Sequence, residues 1–512
     1  MGIKRTPLDI PLLLFLASAA LSTLFAENRN MAWLGTYTRY DGLLTLITYA
    51  ALFWLSVQSI ADGAEARALM RVVLASGYVV SVIAIAQSLH DSLLQGSVAP
   101  AFGTLGNANV LGAFLALVIA LGVAEMLVAR RAAQRILLGN VLVVSIAASM
   151  LSLSRSSWLG TLAGIAFVIW LRPTPGLLRV AVPVVGAAGV LLAIGYFVSV
   201  PGQLERTLVD RALSIADPRQ IAHARLGIWG DSLRMIASRP LTGYGPDNVG
   251  LVFPRFQTGD WGFTYSFAQG NVRESIDKTH AELLQVAATQ GLIGVATYLL
   301  LQGTFLFVLW RARRIDQAMI AGAGFIAYTV VVQLNFTALA AAFPFWIFAA
   351  AATWSCDVVR TQVLAQGPGR ARLALIPGVV LTAAAAWLGV AVPFAADAVL
   401  RQAVDAGSTG DDSRAAQLAS EAMQLAPWES VYAVEVGNVA LARGQWGAAR
   451  AAYADAAALG TYNPAVYRNW ALADIHLGRG DEARRAAEMA VELDRYDPAN
   501  QALLAQFRAT LP

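Results

Sequence analysis

The sequence predicts an all-α protein in which a polytopic bundle of about eleven membrane-spanning helices precedes a small α-helical repeat domain. Of its 512 residues, 57% are hydrophobic and only 14% are charged, whereas soluble domains carry about 25% charged residues. Apolar runs recur along residues 1–395, and most approach the ~20 residues that a helix needs to cross a bilayer. From residue 396 the composition becomes Ala-rich and charged, with a helical period.

The apolar runs define the candidate spans. The first follows Lys4 and Arg5 but lacks a convincing cleavage site of small residues, so we expect a membrane span there and not a cleaved signal. The candidate spans are 10–26, 42–60, 69–88, 110–129, 136–153, 156–171, 179–200, 290–310, 317–336, 338–358 and 373–395.

Basic residues predict the orientation of the bundle, because Lys and Arg are enriched in cytoplasmic loops. They occupy alternate connections and place the N-terminus inside: Lys4 and Arg5; Arg67 and Arg71; Arg130, Arg131 and Arg135; Arg172 and Arg179; Arg311, Arg313 and Arg314; Arg360, Arg370 and Arg372. The remaining connections should face outward: 27–41, 89–109, the turn near Arg155, the long insert 201–289, the turn at Asn335, and residues 396–512.

Residues 396–512 resemble tetratricopeptide repeats. Similar units meet at Pro427, Pro464 and Pro498, with spacings of about 37 and 34 residues, near the tetratricopeptide period of about 34. Gly444 and Gly480 would lie in the turns between paired helices. Two and a half to three such units would form a small α-solenoid that docks a protein partner or packs on its own membrane domain.

Composition excludes several other classes of site. Cys356 is the single cysteine and falls in an apolar run, so neither disulfides nor a cysteine metal site is predicted. The net charge of +4 comes almost wholly from arginine. No basic, aromatic-interleaved soluble domain indicates nucleic-acid binding.

The residues most suited to catalysis or substrate binding lie mainly in the polar segment 225–294, which interrupts the series of apolar runs. It contains or adjoins two of the four histidines, His223 and His280. A cluster of cations suited to a phosphate-bearing substrate surrounds them: Arg225, Arg234, Arg239, Arg255, Arg273 and Lys278.

Two other outward segments carry candidate residues. In GTLGNANVLGAF, residues 103–114, Asn107 and Asn109 precede a span, where free backbone N–H groups suit a pyrophosphate; a plain helix cap is the alternative. In SLSRSSWLG, Arg155 lies at a hairpin between spans. A charge at that depth usually faces a watery cavity, although a side chain that snorkels to the interface is the alternative.

The insert itself predicts an amphipathic helix followed by a turn. Over 222–237, Arg225, Trp229 and Ser232 share one face, while Leu226, Leu233 and Ile236 offer an apolar surface for the headgroup region. The motif PLTGYGPDN, residues 240–248, then predicts a chain reversal.

His280 is the candidate base. It is expected at the start of the next helix, in line with Leu284, Ala287 and Gly291, while Gly291 and Gly294 would allow close helix approach. Histidine readily takes up a proton near neutral pH, although a purely structural histidine is the alternative. With arginines holding a diphosphate leaving group, it would complete a site for glycosyl transfer.

Together, GTLGNAN, SRSSW, the block from RLGIW to PLTGYGPDN, and the histidine ten residues before GLIG resemble the O-antigen ligase and Wzy polymerase superfamily of bacterial envelope glycosyltransferases. The resemblance covers residues 1–395. It implies a C-type glycosyltransferase fold in the bacterial inner membrane, with the active site and the repeats on the periplasmic side.

The resemblance also implies an undecaprenyl-diphosphate-linked glycan donor and inverting transfer to an acceptor hydroxyl without a metal ion or other cofactor. His280 would be the general base, and Arg155 and Arg225 would bind the diphosphate. Candidate substrate-binding residues are Asn107, Arg273, Lys278 and Trp229.

One residue departs from the family pattern. Asn, Ser or Gln often follows this histidine, whereas this chain has Ala281, so the hydrogen bond near the acceptor would be missing or supplied by Glu282. The expected activity is ligation of glycan to lipid A-core. The alternatives are a Wzy-type polymerase, a protein O-oligosaccharyltransferase and, from other classes, a transporter of lipid-linked glycan or a scaffold for partners.

Overall fold

The structure is a computed structural model that describes residues 2–37, 39–95, 100–171, 218–261, 263–267, 270–274, 276–363, 387 and 391–510. Several sequence predictions fall outside these residues. They are the span 179–200, nearly all of the span 373–395, residues 201–217 of the insert, and the basic residues Arg172, Arg179, Arg370 and Arg372.

The described part of residues 1–363 is mostly helical. Its helices are α1 (Asp9–Leu24), α2 (Arg29–Leu34), α3 (Leu43–Ser59), α4 (Gly63–Gln95), α5 (Ala108–Val128), α6 (Ala132–Leu151), α7 (Arg155–Leu171), α8 (Pro218–Ser238), α9 (Val249–Val252), α10 (Glu282–Arg311), α11 (Asp316–Gln333) and α12 (Leu339–Ser355). Four short strands complete it: β1 (Gly2–Arg5), β2 (Phe263–Phe267), β3 (Gly270–Glu274) and β4 (Arg360–Val363).

Within the described residues, four helices are long and apolar enough to cross a membrane: α4, α5, α6 and α10. The helices α1, α3, α7 and α12 are also apolar but shorter. All eight coincide with predicted spans, and so does α11. The chain is thus a helical, multi-pass membrane protein, while the total of about eleven spans stays a prediction.

Helix α5 forms the centre of the bundle. Its residues from Val110 to Glu125 are all buried, and it contacts α6, α7 and α11. A helix that is apolar on every side needs neighbours on every side, which explains why α5 lies inside and not at the lipid surface. Around it, the outer helices leave large apolar side chains exposed, including Ile10, Ile136 and Trp170.

Several of the basic connections meet at one end of the bundle. Strands β1 and β4 pair antiparallel, with Arg5 opposite Arg360. Lys4 Nζ donates to the carbonyl oxygens of Gln58, at 2.9 Å, and Ile60, at 2.5 Å. These contacts join β1 to β4, which follows α12, and to the end of α3.

Helix α1 runs antiparallel to α10 and separates this basic end from the opposite one. Ser22 Oγ donates to the Thr289 carbonyl at 2.5 Å, and Ser18 Oγ donates to Gln290 Oε1 at 2.9 Å. Phe15, nearer the start of α1, contacts the ring of Tyr298. The loop after α1 therefore lies beside the start of α10, and Arg311 lies at the far end of that helix.

Helix α10 is broken at Gly291, whose φ of 66° is left-handed. The motif PLTGYG docks on the break through backbone hydrogen bonds. Tyr244 N–H donates to Ala288 O at 3.0 Å, and Leu292 N–H donates to Pro240 O at 2.7 Å. The loop thus satisfies polar groups that the broken helix would otherwise leave unpaired in a buried place.

The C-terminal residues form consecutive antiparallel helix pairs with short turns. The helices are α13 (Val392–Ser408), α14 (Asp412–Leu425), α15 (Ser430–Ala442), α16 (Trp446–Ala458), α17 (Pro464–His476), α18 (Gly480–Leu493) and α19 (Pro498–Thr510). Gly444 has a φ of 68° in the turn between α15 and α16. In the turn between α17 and α18, Gly478 has the positive φ, and Gly480, expected in the turn, instead begins α18.

Substituting Gly291→Ala tests the broken helix. A Cβ atom at Gly291 would lie 2.3 Å from the backbone carbonyl of Leu241, and the left-handed backbone adds strain. We expect a loss of at least about 1–3 kcal/mol, the strain cost alone, measured by thermal unfolding in detergent. Gly303→Ala is the control, because it lies in the same helix with nothing within 4 Å. Equal stabilities of the two variants would contradict this role.

Candidate functional site

His280 lies at the end of the bundle opposite the paired strands β1 and β4. Its backbone is left-handed, with φ 55°, and Ala281 is extended, so α10 begins only at Glu282. The expectation that His280 starts the helix in line with Leu284 and Ala287 is therefore wrong, because the chain turns before the first helical residue. The turn directs the imidazole toward the segment that follows α11.

The imidazole is largely enclosed by that segment. Its ring lies 5.5 Å from the ring of Phe336, at an interplanar angle of 63°. The guanidinium of Arg39 lies over the same Phe336 ring, 5.5 Å from its centroid. Asn335, only 2% exposed, is the adjacent residue, and its Oδ1 has no hydrogen-bond partner among the described residues.

These surroundings keep His280 neutral. Burial lowers its pKa, and the positive charges of Arg225 and Arg39 lower it further. Asp277 and the side chain of Asn335 raise the pKa of His280, and the resulting value is about 4. At neutral pH the imidazole consequently has a nitrogen lone pair available to accept a proton.

Arg225 reaches the same place from helix α8. Its Nη1 donates to the carbonyl oxygen of Leu334 at 2.5 Å, in the turn that also contains Asn335 and Phe336. The predicted amphipathic helix is present as Pro218–Ser238, with Leu226 and Leu233 more than half exposed. This exposure fits a helix that lies on a lipid surface.

Arg39 was missed by the reasoning from sequence. Its Nε donates to Asp277 Oδ2 at 2.7 Å across a separation of 238 residues. The loop 27–41 was placed on the outward side, but no motif distinguished this arginine from its neighbour Arg29. Only the pairing with Asp277, next to His280, identifies it.

Lys278 occupies an ion-pair cluster inside the protein. It is 2% exposed, and its Nζ lies 2.7 Å from both Asp41 Oδ2 and Asp247 Oδ1. Burial acts to lower its pKa, but the two carboxylates outweigh burial and raise it, so Lys278 stays charged. This enclosure favours a structural role over the predicted contact with substrate.

The predicted cationic cluster is largely neutralised by carboxylates. Arg234 pairs with Asp231, and Arg239 pairs with Glu27 at 3.1 Å. Arg255 lies 2.6 Å from Glu27 and 2.9 Å from Glu492, which belongs to the C-terminal helices. The expectation that these arginines bind phosphate is not supported, because sequence displayed the cations but not their distant partners.

Asn107 caps helix α5. Its Oδ1 accepts from the backbone N–H of Asn109 at 2.8 Å, and from that of Val110 at 3.4 Å. This is the plain cap that the sequence left open as an alternative. Asn109 Oδ1 in turn accepts from Ser154 Oγ at 3.1 Å, which joins the start of α5 to the residue before Arg155.

Arg155 begins helix α7, which packs antiparallel to α11. A Cβ atom at Gly160 would meet Val331 and Ala327, and one at Gly164 would meet Ala323. In this register Arg155 lies level with the residues that follow α11, where Arg225 contacts Leu334. Arg155 and Arg225, from two of the predicted outward segments, therefore lie at the same end of the bundle as the turn 334–336.

The other two predicted substrate-binding residues are Trp229, whose side chain the structure describes, and Arg273, of which it describes only the backbone. Trp229 lies one helical turn after Arg225, and its buried Nε1 has no hydrogen-bond partner among the described atoms. Arg273 lies on β3 opposite Thr264 of β2, and only its backbone is described. In the described ranges no group of three or more His, Cys, Asp or Glu is arranged to hold a metal ion.

A family model matches part of the chain. Residues 140–299 match the model of the Wzy_C family, described as O-antigen ligase. The match covers Arg155, Arg225 and His280, so the resemblance predicted from the sequence is confirmed for this part of the chain. No curated protein matches.

One solved structure has similarity to a short part of the chain. It is the first TPR of Spaghetti (RPAP3) bound to the HSP90 peptide SRMEEVD. The two are 17% identical over 23% of this chain and 92% of that chain, with a TM-score of 0.22.

Lys278→Met tests the buried ion cluster. The substitution keeps the length of the side chain but leaves Asp41 and Asp247 buried without a cation, which costs about 3–5 kcal/mol. Thermal unfolding of the purified protein measures the loss. Arg484→Ala is the control, because it breaks an exposed pair with Glu488 at 3.8 Å, worth less than about 1 kcal/mol. A stable Lys278→Met variant would show that the cluster does not hold the loops.

Proposed function

We propose that this chain, whose residues 140–299 match the O-antigen ligase family, transfers a glycan from an undecaprenyl-diphosphate-linked donor to an acceptor hydroxyl. The site would face the outer side of the bacterial inner membrane. The observation that carries the proposal is a neutral histidine, His280, enclosed with the arginines Arg225 and Arg39 at one end of an apolar bundle.

His280 would act as the general base. Its imidazole nitrogen takes the proton of the acceptor hydroxyl while the acceptor oxygen bonds to the anomeric carbon from the side opposite the leaving group. The bond from that carbon to the diphosphate oxygen breaks at the same time. The configuration at the carbon is therefore inverted, and the proton remains on His280 until it passes to water.

The leaving diphosphate gains negative charge as this bond breaks. Arg225 and Arg155 would stabilise that charge from the two helices that approach the turn 334–336. An arginine suits this role because its planar guanidinium can contact two phosphate oxygens at once. This chemistry uses side chains alone and assigns no step to a metal or cofactor.

Two unpaired polar atoms would contact the sugars. Trp229 Nε1 and Asn335 Oδ1 are buried and without hydrogen-bond partners among the described residues. Such atoms are costly unless a partner arrives, and sugar hydroxyls provide both donors and acceptors. Glu282 is engaged elsewhere, since its Oε2 accepts from the Thr337 backbone N–H at 3.0 Å. It therefore does not replace the polar side chain absent at Ala281.

The proposed acceptor is lipid A-core, as in an O-antigen ligase. Polymerisation of the glycan and transfer to a protein hydroxyl use the same donor chemistry and differ only in the acceptor. A transporter is disfavoured because the polar groups described here gather at one end of the bundle, whereas a transport path needs them near the midplane.

Alanine substitutions test the assignment of the residues. In proteoliposomes with lipid-linked oligosaccharide, we expect His280→Ala to lower kcat by about 10²–10⁴, as for loss of a general base. Arg225→Ala and Arg155→Ala should lower kcat/KM. The control is His90→Ala, which replaces an exposed histidine on α4. Full activity in the His280 and Arg225 variants would refute the assignment.

Different acceptors separate the three transferase activities. The same donor is offered with lipid A-core, with a second lipid-linked glycan, or with a periplasmic protein extract, and the products are resolved by mass. Label in lipid A-core supports ligation, a longer glycan supports polymerisation, and label in protein supports protein glycosylation. Movement of intact donor across the bilayer without transfer would support the transporter instead.

The pH dependence of kcat/KM tests the state of His280. Because its pKa is lowered to about 4, the imidazole is neutral at every pH well above that value. We therefore expect activity to persist down to about pH 5 and to fall as the pH passes through 4. An acidic limb near 6.5, the pKa of a free histidine, would contradict the enclosure described here.

A further inference from the structure

The C-terminal helices contact the loop between α1 and α3. Asn30 Nδ2 donates to two of their carbonyl oxygens, those of Trp428 and Leu459, both at 3.2 Å. Asn28 Nδ2 donates to the carbonyl oxygen of Ala458 at 3.3 Å. One short loop of the membrane domain is thus bound by the ends of two different helix pairs.

A second group of contacts lies further along the same loop. Tyr37 Oη donates to Asp397 Oδ1 at 3.0 Å, and Tyr432 Oη donates to the same oxygen at 2.8 Å. The rings of Tyr37 and Tyr432 are 6.4 Å apart in an edge-to-face arrangement. Asp397 on α13 therefore joins the loop to α15.

The helices also hold the insert. Arg495 Nη2 donates to the Pro254 carbonyl at 3.0 Å, Arg255 pairs with Glu492, and Gly250 packs against the ring of Tyr462. Contacts to the membrane domain thus extend from Asp397 to Arg495. A surface used over this length for an internal contact is not free to bind a separate protein.

The same loop ends beside His280. Arg39 pairs with Asp277, and Asp41 pairs with the buried Lys278. Thr36 donates through its N–H and its hydroxyl to Asp247 Oδ2, at 2.7 and 2.9 Å. A single residue separates Tyr37, which contacts the C-terminal helices, from Arg39, which pairs with Asp277 near the histidine.

We infer that the C-terminal helices act as an intramolecular clamp that positions Arg39, through the loop 27–41, against Asp277 and beside His280. Arg39 is thereby a positioning residue, whose effect on the reaction is exerted through the histidine. The clamp can be tested by itself, while its effect on turnover rests on the glycosyl transfer proposed above.

The clamp acts together with the contacts of Thr36 with Asp247 and of Asp41 with Lys278, which hold the same loop on either side of Arg39. The pair of Arg39 and Asp277 is partly exposed, at 28% and 18%, and isolated exposed ion pairs hold a loop only weakly. Consecutive Cα atoms are about 3.8 Å apart, so the contacts of Tyr37 limit how far Arg39, two positions later in the sequence, can move. The contacts of Asn28, Asn30 and Tyr37 restrict that movement.

Two glycines in the C-terminal turns provide a matched test. Gly460 and Gly478 are both left-handed, with φ 98° and 71°, so an alanine strains the backbone at either site. A Cβ atom at Gly460 would lie 2.5 Å from the Met31 side chain and 2.9 Å from Asn28, whereas nothing lies within 4 Å at Gly478. Gly460→Ala should therefore separate the loop from the helices, and Gly478→Ala should not.

The first measurement does not require activity. Hydrogen–deuterium exchange of the full-length protein is followed in peptides covering 27–41 and 276–281. Gly460→Ala should speed exchange in both regions by about tenfold or more, as expected when a local contact opens, and Gly478→Ala should leave both unchanged. Unchanged exchange in Gly460→Ala would overturn the clamp whatever the activity of the protein.

The second measurement connects the clamp to the reaction. Arg39 lowers the pKa of His280, and Asp277 raises it. Displacing Arg39 therefore shifts the acidic limb of kcat/KM upward, by about one pH unit for a lost neighbouring charge. Gly460→Ala and Arg39→Gln should both show this shift, and Gly478→Ala should keep the wild-type limb.

The outcomes separate the two proposals. Faster exchange without any transferase activity in the wild type would support the clamp and refute the proposed function. Active variants in which Gly460→Ala speeds exchange but leaves the acidic limb unchanged would overturn the positioning role of Arg39.

Discussion

One buried ammonium group joins the loops on which the candidate site depends. Lys278 binds Asp41 from the loop after α1 and Asp247 from the turn after α8, and it precedes His280 by two residues. Burying three charges is costly, and an apolar replacement of the whole cluster would often be at least as stable. The value of the cluster lies in its specificity, because only one arrangement of the loops satisfies all three charges. That arrangement helps to fix the positions of His280 and Arg39, each of which lies two residues from a member of the cluster.

The broken helix α10 provides the second constraint. An unbroken helix would satisfy its own backbone groups and offer nothing to which the turn 240–245 could bond. At Gly291 the helix opens, and the turn supplies the missing partners through the Tyr244 N–H and the Pro240 carbonyl oxygen. The chain can then proceed from α8 across the first part of α10 and bring Asp247 to Lys278. The glycines of this region, which sequence reasoning assigned to close helix approach, thus create a backbone junction.

Properties that depend on neighbouring residues were predictable from the sequence, and those that depend on distant ones were not. The apolar runs predicted the bounds of helices α1, α3 and α5 to within a few residues, because whether a segment can span a membrane depends on its own residues. The histidine could be singled out, but its left-handed backbone could not, since that conformation is imposed by packing. The charge of Lys278 was visible, whereas its two carboxylate partners lie 237 and 31 residues away. The same limit hid Arg39 and the ion pairs that Arg239 and Arg255 form with Glu27. The phosphate-binding role of these two arginines stays a prediction.

The polar contacts of α1 with α10 also constrain how the protein is made. Ser18 is among the first residues to enter the membrane, yet its partner Gln290 follows 272 residues later. Synthesis proceeds from the N-terminus, so α1 waits in the bilayer without the partners that α10 supplies until α10 has been inserted. The last contacts to form are those of the C-terminal helices with the loop at Asn30. A ribosome must therefore synthesise the chain at least as far as Leu459 before all the contacts of Asn30 can form.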